Sequence, residues 1–343
     1  MRRIVAALCA AVLVLSWAST AQADQGTVTR VTLTSNRSFA PSATTLIVSK
    51  SVTMVAGESR HVRGRLEATS STTLIVALTV TVRCVNSSGT AIGVGGATAR
   101  NHEGSDTTYY AIPGHLPLYA DLLFTAPAAG TYTCGVYGWT ASSATTSYRL
   151  TTVANSTWIE VSNTAQAGAR WWENPACSSD GSSSGCSYVW PGSAPVWVFY
   201  NDGTPVYKWT AASNATSVEA LADLTLTTCY ANTGSCQDST VIPREKPRGT
   251  NATVDLRFEV IQLDTTAHTC RVTTAGTTRR TIRDDAHHYA AYFALSGIPI
   301  DSSCGTRQFI MRIYVASVSG NPVKIDGRQG TTSLTNGIAM NRF

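Results

Sequence analysis

Apolar and polar positions alternate through most of the chain with the two-residue period of strands that bury one face. In residues 74–84 (LIVALTVTVRC), Leu78, Val80, Val82 and Cys84 share one side, and Thr79, Thr81 and Arg83 the other. Residues 118–139 read as a strand, a turn at Pro127–Gly130 and a second strand with Tyr132, Cys134 and Val136 in phase. Residues 255–263 set Leu256, Phe258, Val260 and Gln262 against Arg257, Glu259 and Ile261. Further strands are predicted within 24–55 and over 156–162 and 307–318. A hairpin is predicted over 194–209, turning at Asn201-Asp202-Gly203. Residues 241–252, polar with two prolines, predict a long exposed loop. Only 219–224 (EALADL) and 284–295 (DDAHHYAAYFAL) carry helix signals; a helix over the second would put Tyr289, Tyr292 and Phe293 on one stripe. A faint repeat aligns 77–90 with 222–235, cysteine on cysteine, but Leu224 and Leu226 fall out of phase with Cys229.

Arg2 and Arg3, a short apolar run and Ala21-Gln22-Ala23 form a secretory leader, so residues 1–23 are expected to be removed and the chain to be secreted. Elsewhere the apolar stretches are strand-length, and no transmembrane segment is expected. The leader holds one of the nine cysteines, leaving an even set: Cys84, Cys134, Cys177, Cys186, Cys229, Cys236, Cys270 and Cys304. Outside the cell that set predicts four disulfides, and chain order gives the simplest pairing, 84–134, 177–186, 229–236 and 270–304. With 49 threonines, 35 serines and only 14% charged residues, the polar face of this all-β chain is hydroxyl-rich. The leader takes two of the five formal positive charges with it, and the remainder predicts no nucleic-acid partner.

Inward cysteines on two strands, Cys84 and Cys134, suit an inter-sheet disulfide, and Gly130-Thr131-Tyr132-Thr133-Cys134 has the Tyr-x-Cys spacing of a tyrosine corner. Over about residues 50–165 the chain resembles the immunoglobulin-like sandwiches. It departs from them in having no tryptophan between Cys84 and Trp139. A boundary is expected near 162–170, dividing an immunoglobulin-like sandwich over 24–163 from a second, Trp-rich sandwich over 169–343.

Candidate chemistry is sparse. Gly181–Gly185 matches G-x-S-x-G but sits in a Ser/Gly loop without the strand-turn-helix setting that exposes a nucleophile. His287 and His288 are adjacent and converge poorly in either a strand or a helix, so neither a metal nor another cofactor is expected. The carboxylates show no pairing suited to glycoside hydrolysis. Aromatic residues are denser: Trp171, Trp172, Trp190, Trp197 and Trp209 lie close together. Trp197 and Tyr207 are expected to fill a core. One of Trp171 and Trp172 should face outward, making Trp171, Trp172, Asn201 and Asp202 the candidate ligand-binding residues for a carbohydrate or a cell-surface protein. The leading expectation is a non-enzymatic binding or adhesion protein. The alternative is a structural subunit of an extracellular or cell-surface assembly, distinguished by open strand edges, and a secreted hydrolase ranks third.

Overall fold

The computed structural model describes residues 28–39, 43–70, 76–102, 112–141, 150–172, 188–199, 208–228, 250–284 and 286–343. They form an all-β fold of four sheets. Sheet I contains β1 (Val28–Thr32), β2 (Arg37–Phe39), β4 (Ser59–Thr69), β7 (His115–Thr125), β9 (Leu150–Thr152) and β10 (Trp158–Ser162). Sheet II contains β3 (Thr45–Met54), β5 (Val76–Val85), β6 (Gly95–His102), β8 (Gly130–Ala141) and the short β21 (Arg328–Gln329) and β22 (Thr332–Ser333). Sheet III contains β11 (Gly168–Trp172), β12 (Tyr188–Val189), β15 (Ser217–Thr228), β18 (His288–Pro299), β20 (Val323–Asp326) and β23 (Asn336–Arg342). Sheet IV contains β13 (Val196–Val198), β14 (Trp209–Thr210), β16 (Ala252–Leu263), β17 (Thr269–Ile282) and β19 (Gln308–Ser319).

Sheets I and II share one core. The apolar phase of β4 and β7 (Val62, Leu66, Leu118, Leu122, Phe124) meets that of β5 and β8 (Leu78, Val80, Val82, Val136). Gly64 lies in the same phase, where a Cβ would sit 2.5 and 2.6 Å from the γ-methyls of Val82 and Val136, so close packing there requires glycine. Cys84 and Cys134 are bonded, but as register partners on neighbouring strands β5 and β8 of sheet II. The expected inter-sheet placement is therefore corrected: both cysteines face the core from one sheet. Tyr132 does donate its hydroxyl to the Ala128 carbonyl, 2.7 Å away, four residues upstream.

Sheets III and IV enclose a second core, with Val254, Leu256, Phe258 and Val260 of β16 and Phe309, Met311, Ile313 and Val315 of β19 facing Ala220, Ala222, Leu224 and Leu226 of β15. Gln262 continues the inward phase of β16. Its amide bonds the Asp301 and Thr306 carbonyls and the Asp301 N–H, which satisfies it in burial. Cys270 and Cys304 form the second described disulfide. Cys177, Cys186, Cys229, Cys236, Asn201, Asp202, Tyr207, the Gly181–Gly185 motif and most of the 241–252 loop lie outside the described residues.

Both expected helices are strands. From Val218 to Thr228 every residue of β15 is buried, because sheet III is covered on both faces. One face looks into the second core; the other, carrying Leu221, Asp223, Thr225 and Thr227, looks toward the first half of the chain. In β18, Tyr289, Ala291 and Phe293 join the second core while Ala290 and Tyr292 join the first. Apolar residues on both faces erase the alternation that would have identified these strands. The hairpin over 194–209 is corrected as well. β13 and β14 both pair antiparallel with β19, at Val196↔Val315 and Trp209↔Phe309, as successive segments along one edge. Phe199, at φ 63°, leaves the strand where β13 ends. The halves are joined further by β22, which pairs parallel with β6 (Thr332↔Gly95).

Candidate functional site

The alternation that fills the cores also places polar residues in rows on the outer faces. On sheet IV, Trp197, Tyr314 and Arg257 are neighbours across β13, β19 and β16, and Arg312 is opposite Glu259. The Trp197 and Tyr314 rings meet edge to face at 5.2 Å. Arg312 lies 3.7 Å over the Trp197 ring and Arg257 4.7 Å over Tyr314. Glu259, buried between them, accepts from Arg257 Nε at 2.5 Å and Arg312 Nε at 2.8 Å. Trp197 is thus half-buried on the outer face rather than in the core where the sequence placed it. Flanking Val196 and Val198 take opposite phases to it, and Val198 is the one fully buried.

Sheet I repeats the arrangement. Arg30, Glu160, Arg63 and Asp121 form one row across β1, β10, β4 and β7. In the next row Arg30 reaches over Trp158 at 4.3 Å, Trp158 meets Tyr119 at 6.3 Å, and Arg63 and Arg65 lie over Tyr119. Glu67 binds both Arg65 and His115. This face runs beneath sheet III at its β7 end. There Tyr119 meets Tyr292 edge to face at 5.5 Å, and the Tyr119 N–H donates to the Tyr292 hydroxyl.

The seam so formed holds two buried carboxylates. Asp121 contacts His61 Nε2 at 2.7 Å and Arg63 Nε at 3.7 Å. Asp223 accepts from the Asp121 N–H at 3.1 Å and from Asn336 Nδ2 at 3.4 Å. Burial opposes the Asp121 charge, but Arg63 and His61 outweigh it and hold that carboxyl below its ordinary range. Burial, reinforced by the Asp121 charge, pushes Asp223 well above it. Farther along, His288 Nδ1 lies 2.8 Å from Thr227 Oγ1, Thr227 donates to Asp326 at 2.5 Å, and Asp326 binds the buried Lys324 ammonium at 2.9 Å. Burial, then the neighbouring His287, lowers His288 to about 3, so its ring is neutral. Among the described residues no group of three His, Cys, Asp or Glu is placed to hold a metal. Asp121 and Asp223 join sheets I and III across the seam; the His288–Thr227–Asp326–Lys324 chain runs within sheet III and is tied to sheet II by the His288 N–H, which donates to Asn101 Oδ1 at 2.6 Å.

Of the sequence candidates, Trp171 packs into the second core, 4% exposed. Trp172 is the register partner of Asn336, and its side chain lies outside the described residues, as do Asn201 and Asp202. The two Trp–Tyr–Arg rows were not anticipated. Their one sequence signal is an arginine or acid at every second position, as in Arg63-x-Arg65-x-Glu67 and Arg257-x-Glu259; the aromatic partners come from other strands and depend on register.

The remaining feature is an edge. β17 pairs with β16 on one side, and among the described residues no strand pairs with its other side. Its residues from Thr269 to Thr281 are exposed or half-buried on both faces, and Ile282 is the first buried one.

No protein-family model and no curated protein matches the chain. Solved structures that align with it include the VP2 subviral particle of infectious bursal disease virus (9% identity, TM-score 0.29, 94% of this chain and 42% of that one). The tandem CBM22 domains of Paenibacillus barcinonensis Xyn10C align at 10% identity and TM-score 0.22, over 84% and 82% of the two chains. The stem and receptor binding domain of the spike protein P1 from bacteriophage PM2 aligns at 9% identity and TM-score 0.22, over 88% of this chain and 99% of that one. At these scores the likenesses carry no argument about function. Among the described residues no helix is long and apolar enough to cross a membrane.

Proposed function

We propose that this chain is a non-enzymatic structural subunit of an extracellular or cell-surface assembly. It is exported through its 1–23 leader and built of an immunoglobulin-like sandwich over 24–163 and a second sandwich over 169–343. The observation that carries this reading is β17, a 14-residue strand with one edge unpaired among the described residues and no core side chain before Ile282. A strand that adds so little to its own core, yet offers a row of backbone donors and acceptors, is suited to pairing outside its own sandwich. The test is fractionation of the producing culture. Recovery of the protein in high-mass particles or in the cell-surface fraction is expected; recovery solely as free monomer in the medium would overturn the reading.

A second reading, a binding or adhesion protein for polysaccharide or cell-surface protein, is favoured by the outward Trp197–Tyr314 pair. Trp172, Asn201 and Asp202 remain its other candidates, together with Trp171. Retention on insoluble polysaccharides that is lost in Trp197→Ala/Tyr314→Ala supports it; no retention of the unmodified protein removes it.

A further inference from the structure

We propose that the partner at the β17 edge is a second copy of this chain, joined antiparallel so that the two fourth sheets become one. This rests on the assembly reading above and names its contact. Open edges are normally guarded by charged side chains, lysine above all, by proline, by bulges or by shortness. Among the described strands, sheet II ends on β3, which carries Lys50 at its middle; sheet I ends on the five-residue β1 and on β7, whose Tyr119 and Asp121 N–H groups donate to Tyr292 and Asp223 of sheet III; and β18, paired with β15 alone, ends in Pro299. β17 is the longest strand described; it has neither lysine nor proline, its charged residues are Arg271, Arg279 and Arg280, and Arg279 is paired with Asp255 inside its own sheet. A bulge opposite Phe258, with Gly276 at φ 86°, divides it. Beyond the bulge Thr277–Ile282 keeps unbroken register with Ala252–Arg257, leaving a regular edge.

The side chains of that segment match the way this chain pairs its own strands. Exposed hydroxyls face each other across neighbouring strands at Ser51–Thr133, Thr53–Thr131, Ser38–Thr151 and Ser59–Thr125, at 2.7–3.2 Å. Thr277, Arg279 and Thr281 share the outer face of β17, opposite Arg257, Asp255 and Thr253. An antiparallel pair centred on Arg279 places Thr277 of each copy opposite Thr281 of the other, extending the same hydroxyl ladder. Arg279 would meet its mate there. It arrives neutralised, bound through Nε and Nη2 to the two Asp255 oxygens at 2.8 Å each. One patch meeting itself about a two-fold axis is the commonest closed assembly, and it buries the open edge on both copies at once.

The test is sedimentation equilibrium of the full exported chain with its disulfides intact. A concentration-dependent dimer is expected. Thr277→Lys/Thr281→Lys, which sets lysine against lysine only in the paired state, should weaken it at least tenfold with unchanged melting in dilute solution. Mixing that variant with Thr277→Glu/Thr281→Glu should restore association. A dimer indifferent to these charges would overturn the edge contact while leaving the assembly reading to the fractionation experiment. A monomer at every concentration would overturn the second-copy partner, and recovery in a surface fraction would then assign the edge to a different protein.

Discussion

The two sandwiches carry the same outer decoration and dispose of it differently. Each has a Trp–Tyr pair, arginines over the rings and a buried glutamate or aspartate beneath: Trp158, Tyr119, Arg63 and Asp121 in one, Trp197, Tyr314, Arg312 and Glu259 in the other. In the first, this face slides under sheet III and its charges become seam contacts, while β22 covers the β6 edge. In the second, the face ends at β17, whose outer edge pairs with no described strand. Similar side-chain chemistry therefore lies closed in a seam in one half and on an outer face in the other, although the first half also ends on the unpaired edges of β3 and β1 among the described residues. The difference lies in what the charged rows face: Arg63 and Asp121 meet the seam, whereas Arg257, Glu259 and Arg312 bind one another on the outer face.

Removing the disulfides compares the halves most strongly. Cys84→Ala/Cys134→Ala opens a link spanning 50 residues and Cys270→Ala/Cys304→Ala one spanning 34. Each loss should cost about 2–5 kcal/mol, and chain entropy makes the two differ by only about 0.3 kcal/mol. Urea midpoints measure both. A larger gap in favour of the buried 84–134 pair would show that folded-state packing separates the halves, and unchanged melting of either variant would reject a stabilising role for its link.

Gly96→Ala acts on the closed side alone. A Cβ there runs into the Asp121 carbonyl, so the seam must shift, at a cost of about 1–3 kcal/mol. Gly130, where a Cβ meets nothing within 4 Å, is the control: Gly130→Ala should change the midpoint little. Equal effects would remove the claim that backbone contact holds the seam.

The seam should also titrate. His288 is held neutral when folded, so the stability it confers is present above its ordinary value of 6.5 and is lost as pH falls toward about 3. Asp223 has the opposite sign. Its raised value favours folding below the ordinary carboxylate range, and that contribution is lost as pH rises through the raised value. Asp223→Asn should therefore gain on the unmodified protein as pH increases, and His288→Gln should flatten the acid limb. Urea midpoints from pH 4 to 9 read both, and parallel curves for all three proteins would contradict the burial assigned to these groups.

The smallest effect concerns the arginines. Arg30, half exposed beside Glu160, should cost no more than about 1 kcal/mol when changed to alanine. Arg312, forked on buried Glu259 and stacked on Trp197, should cost more, because its removal leaves a buried carboxylate with one partner fewer. Equal losses would make the second face as loosely held as the first is at Arg30.

Strands with one wet face were legible in the sequence. β5, β8, β16 and β19 fall where alternation placed them, and the phase of Leu256, Phe258, Val260 and Gln262 holds. Strands wet on neither face were not: β15 and β18 bury both sides, so their apolar runs mimic short helices. The polar phase of β15, Asp223, Thr225 and Thr227, is turned to a seam that no local pattern announces. Pairing of Cys84 with Cys134 was readable, but its sheet was not, since inward phase is identical for neighbours in one sheet and for facing strands. The Trp–Tyr–Arg rows were hidden because register brings their members together from β13, β16 and β19.

The most direct test of the open edge is amide hydrogen exchange along Thr277–Ile282 at low and high protein concentration. Outward amides of β17 should exchange rapidly in dilute solution and become protected at alternate positions on concentration, with β3 and β1 unchanged. Exchange along β17 that is already slow in dilute monomer, or that stays fast at every concentration, would contradict an edge built for pairing with a second copy.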